Sequence, residues 1–268
     1  MLKFKDANGK LKKMAKKLGL KLKTFTLPAG YTCPGAKDCL AYADRKTGKV
    51  KDGKDTEFRC FMASLEATFP SLRAMVWENL EQLKLALQVS WMECADLIHS
   101  SLPKKFDVMR VHVGGDYFTK EYLQAWIEVA KRNPDKVFYS YSKSLHLFRE
   151  FALPENLVLT ASRGGKYDDL IDLHAWKEAV VVFSEKEAAD KGLEIDHDDS
   201  HAAFGAKDFA LLIHGTQPKG SDASVALQKL RKQGKGGYSK KKKENKYGSE
   251  GATFGAPSAG FNYDLAIL

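Results

Sequence analysis

Five short apolar runs, at residues 107–113, 137–142, 157–162, 179–183 and 209–213, each end in polar or small residues and recur every 20 to 30 positions. Between most of them lie stretches with helical spacing: residues 119–133, 145–151, 168–176, 185–192 and 222–233. Apolar runs alternating with helices are the pattern of parallel strands joined by crossover helices. The run at 21–27, KLKTFTL, adds a strand near the start, and LEID at 193–196 adds a short one. The pattern predicts an α/β fold, a βα-repeat parallel sheet forming a partial or complete TIM-like barrel, with an open doubly wound sheet as the alternative.

Residues 70–88 read as a long amphipathic helix opened by Pro70, with Leu72, Met75, Val76, Leu80, Leu83 and Leu87 on its apolar stripe. Residues 28–57 are rich in Gly, Pro, Asp and Lys and read as a long loop. Three regions follow: a basic N-terminal extension at 1–21, a βα-repeat domain at 22–233 with a cysteine loop at 28–60, and a Lys/Gly/Ser-rich tail at 234–268. The first contains a short helix carrying Leu11, Met14 and Leu18.

Parallel sheets bind ligands at the carboxyl ends of their strands. The residues closing each run should therefore meet at one mouth. Gly114, Gly115 and Asp116 close the first, with glycines permitting close approach of a ligand. Ser142 and Lys143 close the second, Ser162 and Arg163 the third, Ser184 and Glu185 the fourth. His214 closes the last and opens a polar turn with Thr216 and Gln217 that could cradle an anion at a helix start. Lys143 and Arg163 would hold an anionic ligand. Asp116 would orient it, and His214 would exchange protons near neutral pH. The glycine-rich patterns GxGxxG and GxxxxGK[ST] are absent.

Cys33, Cys39 and Cys60 give a spacing of five and then twenty residues, with Cys60 at a helix start. Three thiolates from one loop could hold zinc or an iron–sulfur cluster. Cys94, in an apolar helical stretch, reads as core. Residues 196–201, DHDDSH, hold two imidazoles and three carboxylates and read as a polar loop rather than a metal site.

The charge of +9 is uneven. Residues 1–25 and 229–246 carry +8 each and leave the rest at −7. Such runs are solvated extensions or hold DNA or RNA by counterion release, with Tyr238 and Tyr247 as candidate stacking groups. No stretch reaches the roughly 20 apolar residues of a membrane span, and the first residues lack the apolar core of a secretory signal. A cytoplasmic setting is expected, with the cysteines reduced.

The order strand, cysteine loop, long helix, strand and Gly114-Gly115-Asp116 is similar in layout to radical S-adenosylmethionine enzymes. That likeness implies a cluster on the three cysteines and a contact from residues 114–116 to the methionine part of the cofactor. The family's own cysteine spacing is absent. The segments LPAGYTCPGAKDC, FRCFMASLEA, RVHVGGDYF, VFYSYSKS and HGTQPKGSDASVALQKLRKQGKGGYS resemble the phage and mobile-element family called gene product 88. This resemblance implies a protein working in the cytoplasm of an infected bacterium. Two functions remain from the residues: a thiolate-centred enzyme acting on a small anionic or nucleotide-like ligand, and a nucleic-acid-binding accessory protein.

Overall fold

In β6 (Val137–Ser142) below, Val137, Tyr139 and Tyr141 face one way and Phe138 and Ser140 the other, so both faces of the sheet must be covered. The protein is seen in a computed structural model, which describes residues 1–235. Most of the expected tail, with Tyr238 and Tyr247, lies outside the described residues.

In chain order, β1 (Lys5–Asp6) and α1 (Leu11–Leu18) precede β2 (Leu22–Thr24), and a hairpin of β3 (Ala41–Ala43) and β4 (Val50–Asp52) stands inside the cysteine loop. Helices α2 (Phe61–Thr68), α3 (Pro70–Val89) and α4 (Trp91–Ser101) lead to β5 (Val108–Arg110), α5 (Lys120–Lys131) and β6. A 3-10 turn (Leu145–Glu150), β7 (Leu157–Ser162), α6 (Asp169–His174), β8 (Glu178–Val182) and α7 (Glu185–Asp190) follow. The described chain closes with β9 (Glu194–Ile195), α8 (Ser200–Phe204), β10 (Phe209–Leu212) and α9 (Asp222–Lys232).

Eight strands form one sheet in the order β1, β2, β5, β6, β7, β8, β10, β9. Only β1 is antiparallel to its neighbour. The α/β expectation is met, but the sheet is not closed into a complete barrel: β1 and β9 stand at its two edges. The run β2, β5, β6, β7, β8, β10 keeps sequence order from neighbour to neighbour.

One face carries Met109, Phe138 and Leu157 and is covered by Leu80 and Leu83 of α3, Cys94 and Ile98 of α4, and Leu123 and Trp126 of α5. The opposite face carries Val108, Val137, Tyr139, Ala179 and Phe209, covered by Leu11 and Met14 of α1 and Ala202 and Ala203 of α8. Burying a Leu or Met of this kind contributes roughly 1.5–3 kcal/mol each. Residues 1–21 are thus part of the body, not a separate extension: β1 pairs with β2, and Leu11 and Met14 are wholly buried.

Three elements differ from the sequence reading. The strand expected at 107–113 stops at Arg110, because His112 turns left-handed at φ 67°. The 28–57 loop is stiffened by β3 and β4. The expected polar loop at 196–201 runs into a helix at Ser200–Phe204, entered through Asp199 at φ 72°.

Candidate functional site

The cysteine loop lies across the carboxyl ends of β6 and β7. Thr32 donates its hydroxyl to the Pro28 carbonyl at 2.8 Å, and the Cys33 amide donates to Gly30 at 3.2 Å, closing two successive turns. Asp38 N–H donates to the Gly164 carbonyl at 3.0 Å, and Lys166 N–H donates to the Gly35 carbonyl at 2.9 Å. A side chain on Gly35 would collide with the backbone carbonyl of Lys143, so only glycine lets the loop sit so close. At the far end, Gln217 accepts from the Arg59 amide at 2.7 Å and donates to the His214 carbonyl at 2.8 Å. Arg59 is also forked onto Asp52. Cys60 is thereby fixed at the N-terminus of α2.

This folding brings Cys33, Cys39 and Cys60 within electrostatic reach of one another. Burial pushes the Cys33 thiol well up, with Asp116, Cys60 and Cys39 adding to the rise. Burial, then Cys39, pushes Cys60 up to about 12, against the amides of Ala63 and Met62 at the helix start. Burial also raises Cys39, and the Lys143 ammonium works in the opposite direction. Among the described residues no three His, Cys, Asp or Glu side chains converge as a site for a single metal ion, so the zinc expectation has no seat there.

Lys143 is 7% exposed, and its ammonium donates to the Ser162 carbonyl at 2.8 Å, to the Ser162 hydroxyl at 3.1 Å and to the Arg163 carbonyl. No carboxylate forms an ion pair with it among the described residues. Asp116 is 4% exposed and saturated: it accepts from Ser142 Oγ at 2.7 Å and from the amides of Tyr117, Lys143 and Ser144 at 2.7, 2.8 and 3.1 Å. Burial raises its carboxyl, and these four donors oppose the rise. Asp116 therefore clamps the ends of β5 and β6 together and has no oxygen left over to orient a ligand.

Gly114 and Gly115 are needed for a different close approach than the one expected. A side chain at 114 would strike Met62 of α2, and one at 115, where φ is +80°, would strike Thr32 and Leu27. The protein's own loop fills the space assigned to a ligand. Residues 114–116 thus do not offer the open contact that the S-adenosylmethionine likeness implied.

The other strand-end residues separate into two groups. Ser162 joins Lys143 as described. Arg163 turns away and pairs with Glu178 and, at 2.8 Å, with Asp172, so it faces carboxylates rather than an anion. Ser184 caps α7 by accepting from the Glu187 amide at 3.0 Å, and Glu185 pairs with Lys235 at 2.5 Å on the surface, so neither reaches the thiols. Thr216 is exposed and offers its carbonyl to Ser64. Ser221 caps α9 by accepting from the Ser224 amide, so the supposed anion cradle is an N-cap.

His214 packs against Phe61, next to Cys60, with ring centres 5.1 Å apart and the rings tilted by 37°. Burial takes its imidazole down to about 4. It therefore titrates well below neutrality, against the expectation of an acid/base group poised near neutral pH. Beyond it lies a network that the sequence reading had not assembled. Asp199 pairs with Lys10 at 2.6 Å and Arg110 at 2.5 Å and accepts from Tyr139 and Tyr141 at 3.1 and 3.3 Å. Burial alone would raise the Asp199 carboxyl, but Arg110 and Lys10 bring it down to about 2. Asp196 accepts from the amides of Asp198 and Asp199, so the carboxylates of residues 196–199 serve a turn and an ion cluster. The signal for this cluster was present in Arg110, Tyr139 and Tyr141, which share one face of neighbouring strands.

An open, mostly parallel α/β sheet with a thiol-bearing loop laid over its strand ends defines the class. The chain belongs to the Gene product 88 family, whose profile matches residues 2–236. Over 165 residues it is 26% identical to the Gene 88 protein of Mycobacterium phage L5. That stretch covers 58% of this chain and 62% of the relative, so the chain spans less than two thirds of the relative's length. No solved structure matches.

Proposed function

We propose that the protein is an iron–sulfur enzyme on a partial βα barrel, with Cys33, Cys39 and Cys60 as the thiolate ligands of the cluster. The observation that carries this is the buried Lys143 ammonium, which has only neutral oxygens for partners and lies beside Cys39. A buried cation requires an anion, because removing a charge from water without a counter-charge costs several kcal/mol. Asp116 lies close by but makes no ion pair with Lys143 among the described residues, so the thiols are the groups that would supply a directly paired anion. Protonated thiols would leave Lys143 uncompensated, whereas metal coordination deprotonates a thiol outright.

Cys33, Cys39 and Cys60 would hold the cluster, because thiolates are the usual ligands of iron–sulfur centres and these three influence one another's titration. Such a cluster would supply electron transfer to a small ligand bound beside it. The chain's own residues do the rest. Lys143 offsets the negative charge of the thiolates, Asp116 fixes the loop that presents Lys143, and the neutral His214 and Phe61 wall the side next to Cys60. The sequence order of β2, β5, β6, β7, β8 and β10 supports the partial-barrel reading, because crossovers in one direction gather the strand ends at one mouth.

The test is the visible absorption of protein purified without oxygen. The wild type and Cys94→Ala are expected to be brown, with sulfur-to-iron charge-transfer bands. Cys33→Ala, Cys39→Ala and Cys60→Ala are each expected to lose them. Equal colour in all five proteins, or none in the wild type, overturns the assignment.

A further inference from the structure

Helix α1 holds four lysines, Lys12, Lys13, Lys16 and Lys17, and no acid. All four are exposed, while Leu11 and Met14 on its other side are wholly buried against the sheet. The helix is firmly held. Asn8 caps its start by accepting from the amides of Lys10 and Leu11 at 3.0 and 3.1 Å, and Gly19 ends it at φ 67° with its amide on the Ala15 carbonyl.

The arrangement works against the helix itself. Lys12 with Lys16 and Lys13 with Lys17 are like charges at i, i+4, which destabilise a helix. Lys12 and Lys13 also stand in the first turn, at the positive end of the helix dipole. Only Lys16 and Lys17, in the last turn, are favourably placed. Of the acids nearby, Asp6 pairs with Lys23 and is only weakly influenced by Lys12, and Asp199 lies inside with Lys10 and Arg110. No ion pair within the described residues engages Lys12, Lys13 or Lys16. Lys5 and Lys21 extend the same exposed charge onto the neighbouring chain.

We propose that the lysine face of α1 is a docking surface for the phosphodiester backbone of a nucleic acid. Four cations spread at i, i+1, i+4 and i+5 over two turns of one helix suit a linear polyanion better than one small anion. A lipid surface is the weaker fit, because Leu11 and Met14, the apolar side chains of this helix that would add insertion to charge attraction, are committed to the core. The contacts touch backbone phosphates only, so binding is independent of base sequence. This proposal does not depend on the cluster.

The test is binding of the full chain to a labelled mixed-sequence duplex across a salt series. Four lysine contacts give a slope of log affinity on log salt of about −3.6, or roughly 150-fold weaker binding between 50 and 200 mM salt. Lys12→Gln, Lys13→Gln, Lys16→Gln and Lys17→Gln together are expected to remove that part of the slope. The same four positions changed to Arg must keep it, which holds the proposal open to refutation even if the Gln version folds poorly. Lys240→Gln, Lys241→Gln, Lys242→Gln and Lys243→Gln together measure the C-terminal run. The proposal is overturned if that last variant abolishes the slope while the α1 variant leaves it intact. Binding to anionic vesicles but not to duplex or single strand overturns it equally.

Discussion

At the scale of single residues, Glu66 shows how the cysteine loop is anchored. It is wholly buried on α2, accepts from the Ala29 amide at 2.8 Å, and its other oxygen has no hydrogen-bond partner among the described residues. Burial raises its carboxyl to about 7, from an ordinary value of 4.5. The folded state therefore holds a proton that the unfolded chain has released between these values, and stability falls as pH rises through that window. The full effect is about 3 kcal/mol. Denaturant midpoints measured from pH 4.5 to 7.5 should fall in the wild type and stay flatter in Glu66→Gln, which can still accept from Ala29. An unchanged pH slope in the variant would remove Glu66 as its source. Residue identities alone made the cysteines and Lys143 legible as candidates. They did not reveal that Asp116 is saturated or that Arg163 is paired, because Ser142, Glu178 and Asp172 reach these groups only once the strands are side by side.

At the scale of elements, α1 and α8 are held on the sheet by the cluster of Lys10, Arg110, Asp196 and Asp199. Asp199 is the hinge of this arrangement, and its left-handed backbone aims the carboxylate at β5 and β6. Asp199→Ala leaves Arg110 buried without its partner and should cost about 3–5 kcal/mol in unfolding free energy. Loss of less than about 1 kcal/mol, read by urea denaturation, would mean that the pair is not the lock. Because the folded Asp199 carboxyl is held near 2, below an ordinary value of 3.8, its contribution is complete above about pH 4. It is lost as pH falls through 2. The βα rhythm was readable because Val, Phe, Tyr and Leu runs recur at crossover spacing. The helix at Ser200–Phe204 was not, since five residues carry too little periodicity to signal it.

At the scale of the whole molecule, the sheet's order explains why one short loop can assemble a site. Strands that follow one another across the sheet bring the ends of β5, β6 and β7 side by side, and the cysteine loop is hydrogen-bonded to residues beyond them. Whether the sheet closes was not readable, because closure depends on pairing between its outermost strands, β1 and β9, which are two residues long each. The central claim is that the three thiols are ligands with Lys143 as their counter-charge. Chemical analysis of iron and acid-labile sulfide in protein isolated without oxygen tests it most directly. The account predicts iron and sulfide bound in about equal amounts to every folded chain; a folded, fully reduced protein that carries neither, even after reconstitution with both, would contradict it.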